Sequence, residues 1–165
     1  MNIIVAIDAN WGIGCQGKLL TSIPEDMRFF RQKTEGKVIV MGHSTLKSLP
    51  SSKPLPNRIN IVLSKNELLF VEGALVVNSI QALFNSLADY NNDDVFVIGG
   101  QEIYTLLLPY CKRAYITKVF SSYPADKHFP NIDMMENWEI TEKSEIKNHN
   151  GVEFAFLTYI NNNSL

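Results

Sequence analysis

Six short apolar runs punctuate the first 120 residues, each rich in Val and Ile: "IIVAI" (3–7), "KVIVMG" (37–42), "INIVLS" (59–64), "ALVV" (74–77), "DVFVIGG" (94–100) and "RAYITKVF" (113–120). Runs of this length with β-branched residues and no polar alternation predict strands buried on both faces. Between several of them the pattern turns helical: "SIPEDMRFFRQKTEG" (22–36), "HSTLKSL", "SIQALFNSLADY" and "QEIYTLLLP". Ser22 and Glu25 have capping-box spacing, Pro24 suits a first turn, Gly36 a C-terminal stop, and Pro109 ends the last helix. In the final third, "NWEITEKSEIKN" and "VEFAFLTYI" alternate, and "HNG" between them reads as a hairpin turn. A long glycine-bearing loop, "DANWGIGCQGKLLTS", separates the first strand from the first helix. Strand–helix repeats followed by strands alone predict an α/β fold: a mixed, mostly parallel twisted sheet of about eight strands, with flanking helices and an antiparallel C-terminal hairpin. There is no internal repeat and no linker composition, so residues 1–165 read as a single domain.

One position breaks the helical pattern. At about 100° per residue, Ile23, Met27, Phe30 and Thr34 fall on one side of the first helix with Phe29 flanking them. Asp26 falls between Phe29 and Phe30, inside this apolar arc. A first-turn carboxylate can be there only to meet the helix dipole. Among aromatic neighbours and behind a long loop it would instead lose hydration, and its pKa would rise. It could then shuttle a proton or hold a ligand that offers a fork of N–H donors.

Composition narrows the field. The 165 residues are 45% hydrophobic and 19% charged, with net charge −2 and no basic face of the kind nucleic acid needs. Cys15 and Cys111 have no neighbours at metal-ligand spacing, and His43, His128 and His149 are scattered, so no structural metal is expected. "MNIIVAID" is too short for a signal peptide or a span, and free thiols fit a reducing compartment, so a cytoplasmic protein is expected.

Three segments share the form strand, glycine, helix: "IIVAI…IG", "VIVMGHST" and "VFVIGGQEIY". Glycine admits a ligand to the backbone, and a helix N-terminus offers N–H groups to phosphate. Two such turns suit a ligand with two phosphates; tight packing explains Gly-Gly equally well. Arg58, behind the two prolines of "PLPNR", is either a solvated surface arginine or a guanidinium pre-positioned to grip a carboxylate.

The segments "IVAID…GIG", "IPEDMRFF", "VIVMGHST", "PLPNRINIVLS", "VFVIGGQEIY", "AYITKV" and "DKHFP" stand in the order and spacing of dihydrofolate reductase. Any one is modest; seven in register, from Ile3 to the final hairpin, resemble the bacterial type of that family. The resemblance implies NADPH-dependent reduction of 7,8-dihydrofolate to 5,6,7,8-tetrahydrofolate, by hydride transfer to C6 and protonation at N5. It implies a role in one-carbon metabolism, a monomer, antifolate compounds as further ligands, and no nucleic-acid or membrane partner.

Asp26 matches the family's lone buried acid, which accepts hydrogen bonds from the pterin 2-amino group and N3. Leu19 and Thr21 complete the implied catalytic group. Ile4, Val5, Ala6 and Ile98 would flank the pterin, and Thr117 would hydrogen-bond Asp26. Met27, Phe30, Leu49 and Leu55 would clasp the benzoyl ring, and Arg58 would hold the α-carboxylate of the glutamate tail. On the cofactor side the resemblance implies Ala6, Ile13, Gly14, Leu19, Gly42, His43, Ser44, Thr45, Leu63, Ser64, Lys65, Ile98, Gly99, Gly100, Gln101, Glu102, Ile103 and Tyr104. It also implies a cis peptide between Gly99 and Gly100, a bond rare away from proline.

Three departures stand out. The usual Leu-Pro-Trp is Leu19, Leu20, Thr21 here; an arginine that often follows "MG" is His43; and Glu102 stands where some members carry a basic residue. Two other readings share the scaffold. One is a reductase of another pterin or pyrimidine, of which the flavin-pathway pyrimidine reductases lack the aspartate-on-helix motif and the "PLPNR" arginine; the other is a non-catalytic pterin or nucleotide binder, favoured only by the altered loop at Leu20 and Thr21.

Overall fold

Branched residues at alternate positions give the sheet two apolar faces, and this alternation decides which residues can reach a ligand. In the computed structural model, which describes residues 1–165, the elements run β1 (Asn2–Ile7), β2 (Gly12–Gly14), α1 (Pro24–Thr34), β3 (Val38–Gly42), α2 (His43–Ser48), β4 (Ile59–Leu63), β5 (Ala74–Val77) and α3 (Ile80–Leu87), then β6 (Val95–Gly99), α4 (Gln101–Leu107), β7 (Arg113–Val119), β8 (Lys127–His128), β9 (Trp138–Lys143), β10 (Lys147–His149) and β11 (Val152–Asn161). The main sheet is ordered β10-β11-β7-β1-β6-β3-β4-β5. Strands β7, β1, β6, β3, β4 and β5 are mutually parallel, and β11 closes against β7 antiparallel. The mostly parallel sheet with an antiparallel end is the architecture that the strand–helix order predicts. No helix is long and apolar enough to cross a membrane.

Odd positions of β1 (Ile3, Val5, Ile7) pack with Val95 and Val97 of β6, Ile116 of β7, and Leu83 and Leu107 of α3 and α4. The alternate positions, Ile4 of β1 and Phe96 of β6, join Ile39, Met41 and Leu46 under Phe29 and Phe30 of α1. The period of two along a strand thus assigns Ile4, Ala6, Ile98, Tyr115 and Thr117 to the α1 face. It assigns the Val5 side chain to the other. Val5 can face the cleft only through its backbone.

Two stretches differ from the sequence reading. "NWEITEKSEIKN" is not one strand but two, β9 and β10, which pair with successive lengths of β11. The break falls at Ser144, whose N–H and hydroxyl oxygen both engage Phe156 (2.9 Å each), turning the chain out of the ladder. The long first loop contains β2, which forms a small ribbon with β8. Buried Asp8 organises that region by accepting the N–H groups of Asn10 (2.8 Å), Gly12 (2.7 Å) and Tyr123 (3.0 Å). The "HNG" turn is as expected: His149 pairs with Val152, and Asn150 (φ 52) and Gly151 (φ 84) form a tight two-residue hairpin.

Candidate active site

Helix α1 begins one residue later than capping-box spacing predicts. Its N-cap is Ile23, with no side-chain cap bond, and Pro24 occupies the first turn. Ile23 serves packing instead: it is 3% exposed and lies against Val119 and Phe154. Burying that side chain outweighs a cap by exposed Ser22, because the cap contributes only about 1 kcal/mol. Glu25 and Asp26 then fill the first turn, and Asp26 reaches across to β7, where the buried Thr117 hydroxyl donates to Asp26 Oδ1 at 2.6 Å. Loss of hydration pushes the Asp26 carboxyl above its ordinary value; the Thr117 hydrogen bond pulls the other way and is the lesser effect. No cation pairs with it.

Phe30, Leu49, Leu55 and Ile98 are half-buried and pack on the cluster that holds Ile4, Met41 and Leu46, so this wall is assembled as expected. Phe29 also packs on this cluster and meets Phe156 with ring planes tilted by 31° and centroids 4.5 Å apart. Met27 departs from the predicted buried arc: it is 51% exposed. No protein element lies over it, so the apolar position is left open at the cleft mouth.

At the other end of α1, Arg58 is not a free rim cation. Its Nε donates to Thr34 Oγ1 (2.9 Å) and its Nη1 to the Pro56 carbonyl (2.7 Å). The loop that carries it is pinned by buried Asn60, whose amide accepts from Leu55 N–H (3.0 Å) and donates to the carbonyls of Leu55 (2.9 Å) and Arg58 (3.2 Å). Sequence reasoning missed both Thr34 and Asn60. The available signal was a polar residue placed at the end of one apolar face and inside an apolar strand.

The glycine turns lie side by side, because β3 and β6 are neighbours with Met41 opposite Gly99. Register likewise brings Leu63 opposite Gly42, so that Ser64 and Lys65 follow beside His43 and Ser44. The Gly99–Gly100 peptide is cis, as the resemblance implied. A Cβ at Gly42 would lie 3.0 Å from Ile103, at Gly99 3.1 Å from the Tyr104 ring, and at Gly100 3.1 Å from Thr45 Oγ1. Ile103 and Tyr104 therefore act as buried supports of these turns. The Tyr104 hydroxyl is committed to the Ile4 carbonyl (2.9 Å), and burial raises its pKa far above the ordinary range. Neither α2 nor α4 has a side-chain cap at its start, so both first turns leave N–H groups for an anionic group. That is a fit to a ligand carrying two phosphates at adjacent strand ends.

Of two neighbouring residues expected at the cofactor, one is otherwise engaged and the other stands in solvent. Gln101 Oε1 accepts the His128 N–H at 2.7 Å, tying α4 to the β2–β8 ribbon. Glu102 is exposed. In the loop, Ile13 and Gly14 lie on β2, and Gly14 O accepts the Asp126 N–H at 3.0 Å. Thr21 is half-buried, but Leu19 is 69% exposed and lends the cleft no cover as it stands.

Residues 1–161 match the family model described as dihydrofolate reductase. The chain is 35% identical to the dihydrofolate reductase of Bacillus subtilis, over 99% of this chain and 96% of that one. It is 34% identical to that of Haemophilus influenzae, over 95% and 97%. Among solved structures it is similar to dihydrofolate reductase from Enterococcus faecalis complexed with NADP(H) and RAB-propyl, with a TM-score of 0.87, 32% identity, and 98% and 95% of the two chains covered.

Proposed function

The chain belongs to the dihydrofolate reductase family, and from that premise we propose how its own residues reduce 7,8-dihydrofolate to 5,6,7,8-tetrahydrofolate. The observation that carries the reading is the Asp26 carboxyl, held by Thr117 within apolar walls and lacking a cation. Ionised, it accepts hydrogen bonds from the 2-amino group and N3 of the pterin ring. Its negative charge also raises the proton affinity of N5, where a proton must arrive. Thr117 fixes the carboxyl's orientation. Ala6, Ile98 and the backbone of Val5 flank the ring, while Phe30, Leu49, Leu55 and the open Met27 enclose the benzoyl ring and exclude water. Thr21 holds a water by its hydroxyl at the loop position beside the ring, and Leu19 closes over it only if the loop moves.

When bound, NADPH supplies the hydride that adds to C6. The turns at Gly42 and Gly99–Gly100, with Thr45 and the first turns of α2 and α4, hold its diphosphate. His43, Ser44, Ser64 and Lys65 hold the additional phosphate that separates NADPH from NADH. All of these positions come from one domain, residues 1–165, and no step calls on a second copy of the chain; we take it to act as a monomer.

The test is spectroscopic. Protein, cofactor and dihydrofolate are combined, and loss of reduced cofactor is followed. Oxidation should require dihydrofolate and run faster with NADPH than with NADH at equal concentration. Absence of dihydrofolate-dependent oxidation with either cofactor would defeat the reading, and equal rates would defeat the role given to His43 and Lys65.

A further inference from the structure

We infer that Thr34 is a positioning residue that selects substrates by length, by fixing the Arg58 guanidinium at a set distance from Asp26. Asp26 lies in the first turn of α1 and Thr34 is its last residue. Thr34 lies eight positions after Asp26 (34 − 26) along an unbroken helix, roughly 12 Å along the axis. Asp26 addresses a ring that bears N–H donors. Thr34 addresses the cation at the opposite end, so one rigid element spaces the two polar grips.

The local geometry shows why the hydroxyl matters. Thr34 is fully buried, and its single proton is donated to the Phe30 carbonyl at 2.8 Å. That leaves the oxygen lone pairs turned to the Nε–H of Arg58 at 2.9 Å. A second Arg58 donor, on Nη1, goes to the Pro56 carbonyl. A guanidinium has five N–H donors, so three remain, enough for a two-pronged grip on a carboxylate. Asn60 holds the Arg58 backbone and Thr34 holds its head, so an otherwise mobile side chain is ordered before a ligand arrives. Without the Thr34 hydroxyl, that ordering must be done on binding, and a substrate whose carboxylate sits at this distance loses its advantage. The chemistry selected is a flat, donor-bearing ring joined to a carboxylate about two helical turns away.

The inference rests on the reading of Arg58 as the anchor of the substrate tail, and the experiment separates the two. The quantity measured is the ratio of kcat/KM for dihydrofolate to kcat/KM for 6-methyl-7,8-dihydropterin, which lacks the tail. Thr34→Val should lower this ratio about tenfold through a raised KM for dihydrofolate, and Thr34→Ser should retain it. A role confined to folding would move melting temperature but not the ratio, since both substrates share the ring site. If Thr34→Val melts below assay temperature, Thr34→Ala is read in the same way. Arg58→Gln is the reference. Should it collapse the ratio while the Thr34 variants leave it intact, the positioning inference is wrong and the anchor stands. Should Arg58→Gln itself leave the ratio intact, the anchor reading fails, and the inference with it.

Discussion

Asp26→Asn should lower kcat/KM for dihydrofolate by about 10²- to 10⁴-fold, the usual scale of acid–base assistance, and at the same time raise the melting temperature at neutral pH. The two effects share one cause. The carboxyl is held among apolar side chains without a cation, and desolvation raises its pKa in the folded state. Between the ordinary carboxyl pKa and that raised value, the folded protein binds more protons than the unfolded one. Stability therefore falls as pH rises through this window, and above it the cost of holding the ionised group is fully present. Asparagine never ionises and escapes that cost. Its carbonyl oxygen can still accept the Thr117 hydroxyl, so the hydrogen bond need not be lost. Steady-state kinetics and thermal melts at neutral and acidic pH check both halves. The melting advantage of the variant should shrink as pH falls and Asp26 becomes protonated in the wild type. A variant that is inactive and also less stable at every pH would show that Asp26 is held by interactions other than those described.

Gly99→Ala should be the most damaging single change on the cofactor side. Gly99 has φ +121, a backbone region that costs a side-chain-bearing residue roughly 1–3 kcal/mol. Its Cβ would also lie 3.1 Å from the Tyr104 ring. Tyr104 cannot easily give way, because its hydroxyl is bonded to Ile4 O and its ring is packed on Phe129. Relief must come from the turn itself, to which we assign the cofactor diphosphate. The expected result is a lower melting temperature together with weakening of NADPH binding by about tenfold or more, since about 1.4 kcal/mol of misfit suffices. Gly36→Ala is the control. That glycine also has positive φ (+74), but nothing lies within 4 Å of the added Cβ. It should lose some stability and keep its cofactor affinity. Unchanged NADPH affinity in Gly99→Ala would remove the glycine turn from the binding site.

Much of this site was legible in the chain because parallel strands leave a strong signature. "IIVAI", "VIVMG" and "VFVIG" could be placed as buried strands from their branched residues alone, and the turns after them located the glycines. Asp26 stood out for the reason that matters physically, a carboxylate in an apolar arc. Where the reading fell short, competing packing decided the outcome. Ser22 yielded the cap position because burying Ile23 was worth more, and the helix began one residue later. Val5 could not be assigned to a face until the neighbours of β1 were known. Met27 looks like a core residue on a helical wheel, which cannot distinguish a wall facing protein from a wall facing a ligand. The roles of Thr34 and Asn60 were harder to read: Thr34 meets Arg58 only after α1 and the loop before β4 are brought together, and Asn60 bonds backbone groups of its own segment, at Leu55 and Arg58, which side-chain patterning does not reveal. The tie from Gln101 to His128 depends on a two-residue strand that no periodicity could reveal.

The pH dependence of kcat for dihydrofolate, in the wild type and in Asp26→Asn, tests the central claim most directly. With Asp26 present, the rate should be level at low pH and fall as pH rises through the apparent pKa of N5 in the complex, which the negative charge of ionised Asp26 holds above its value in free dihydrofolate. With Asn at that position the level region should vanish, and the rate should keep climbing as pH falls, limited by substrate protonated in solution. The same plateau and the same inflection in both proteins would contradict the account.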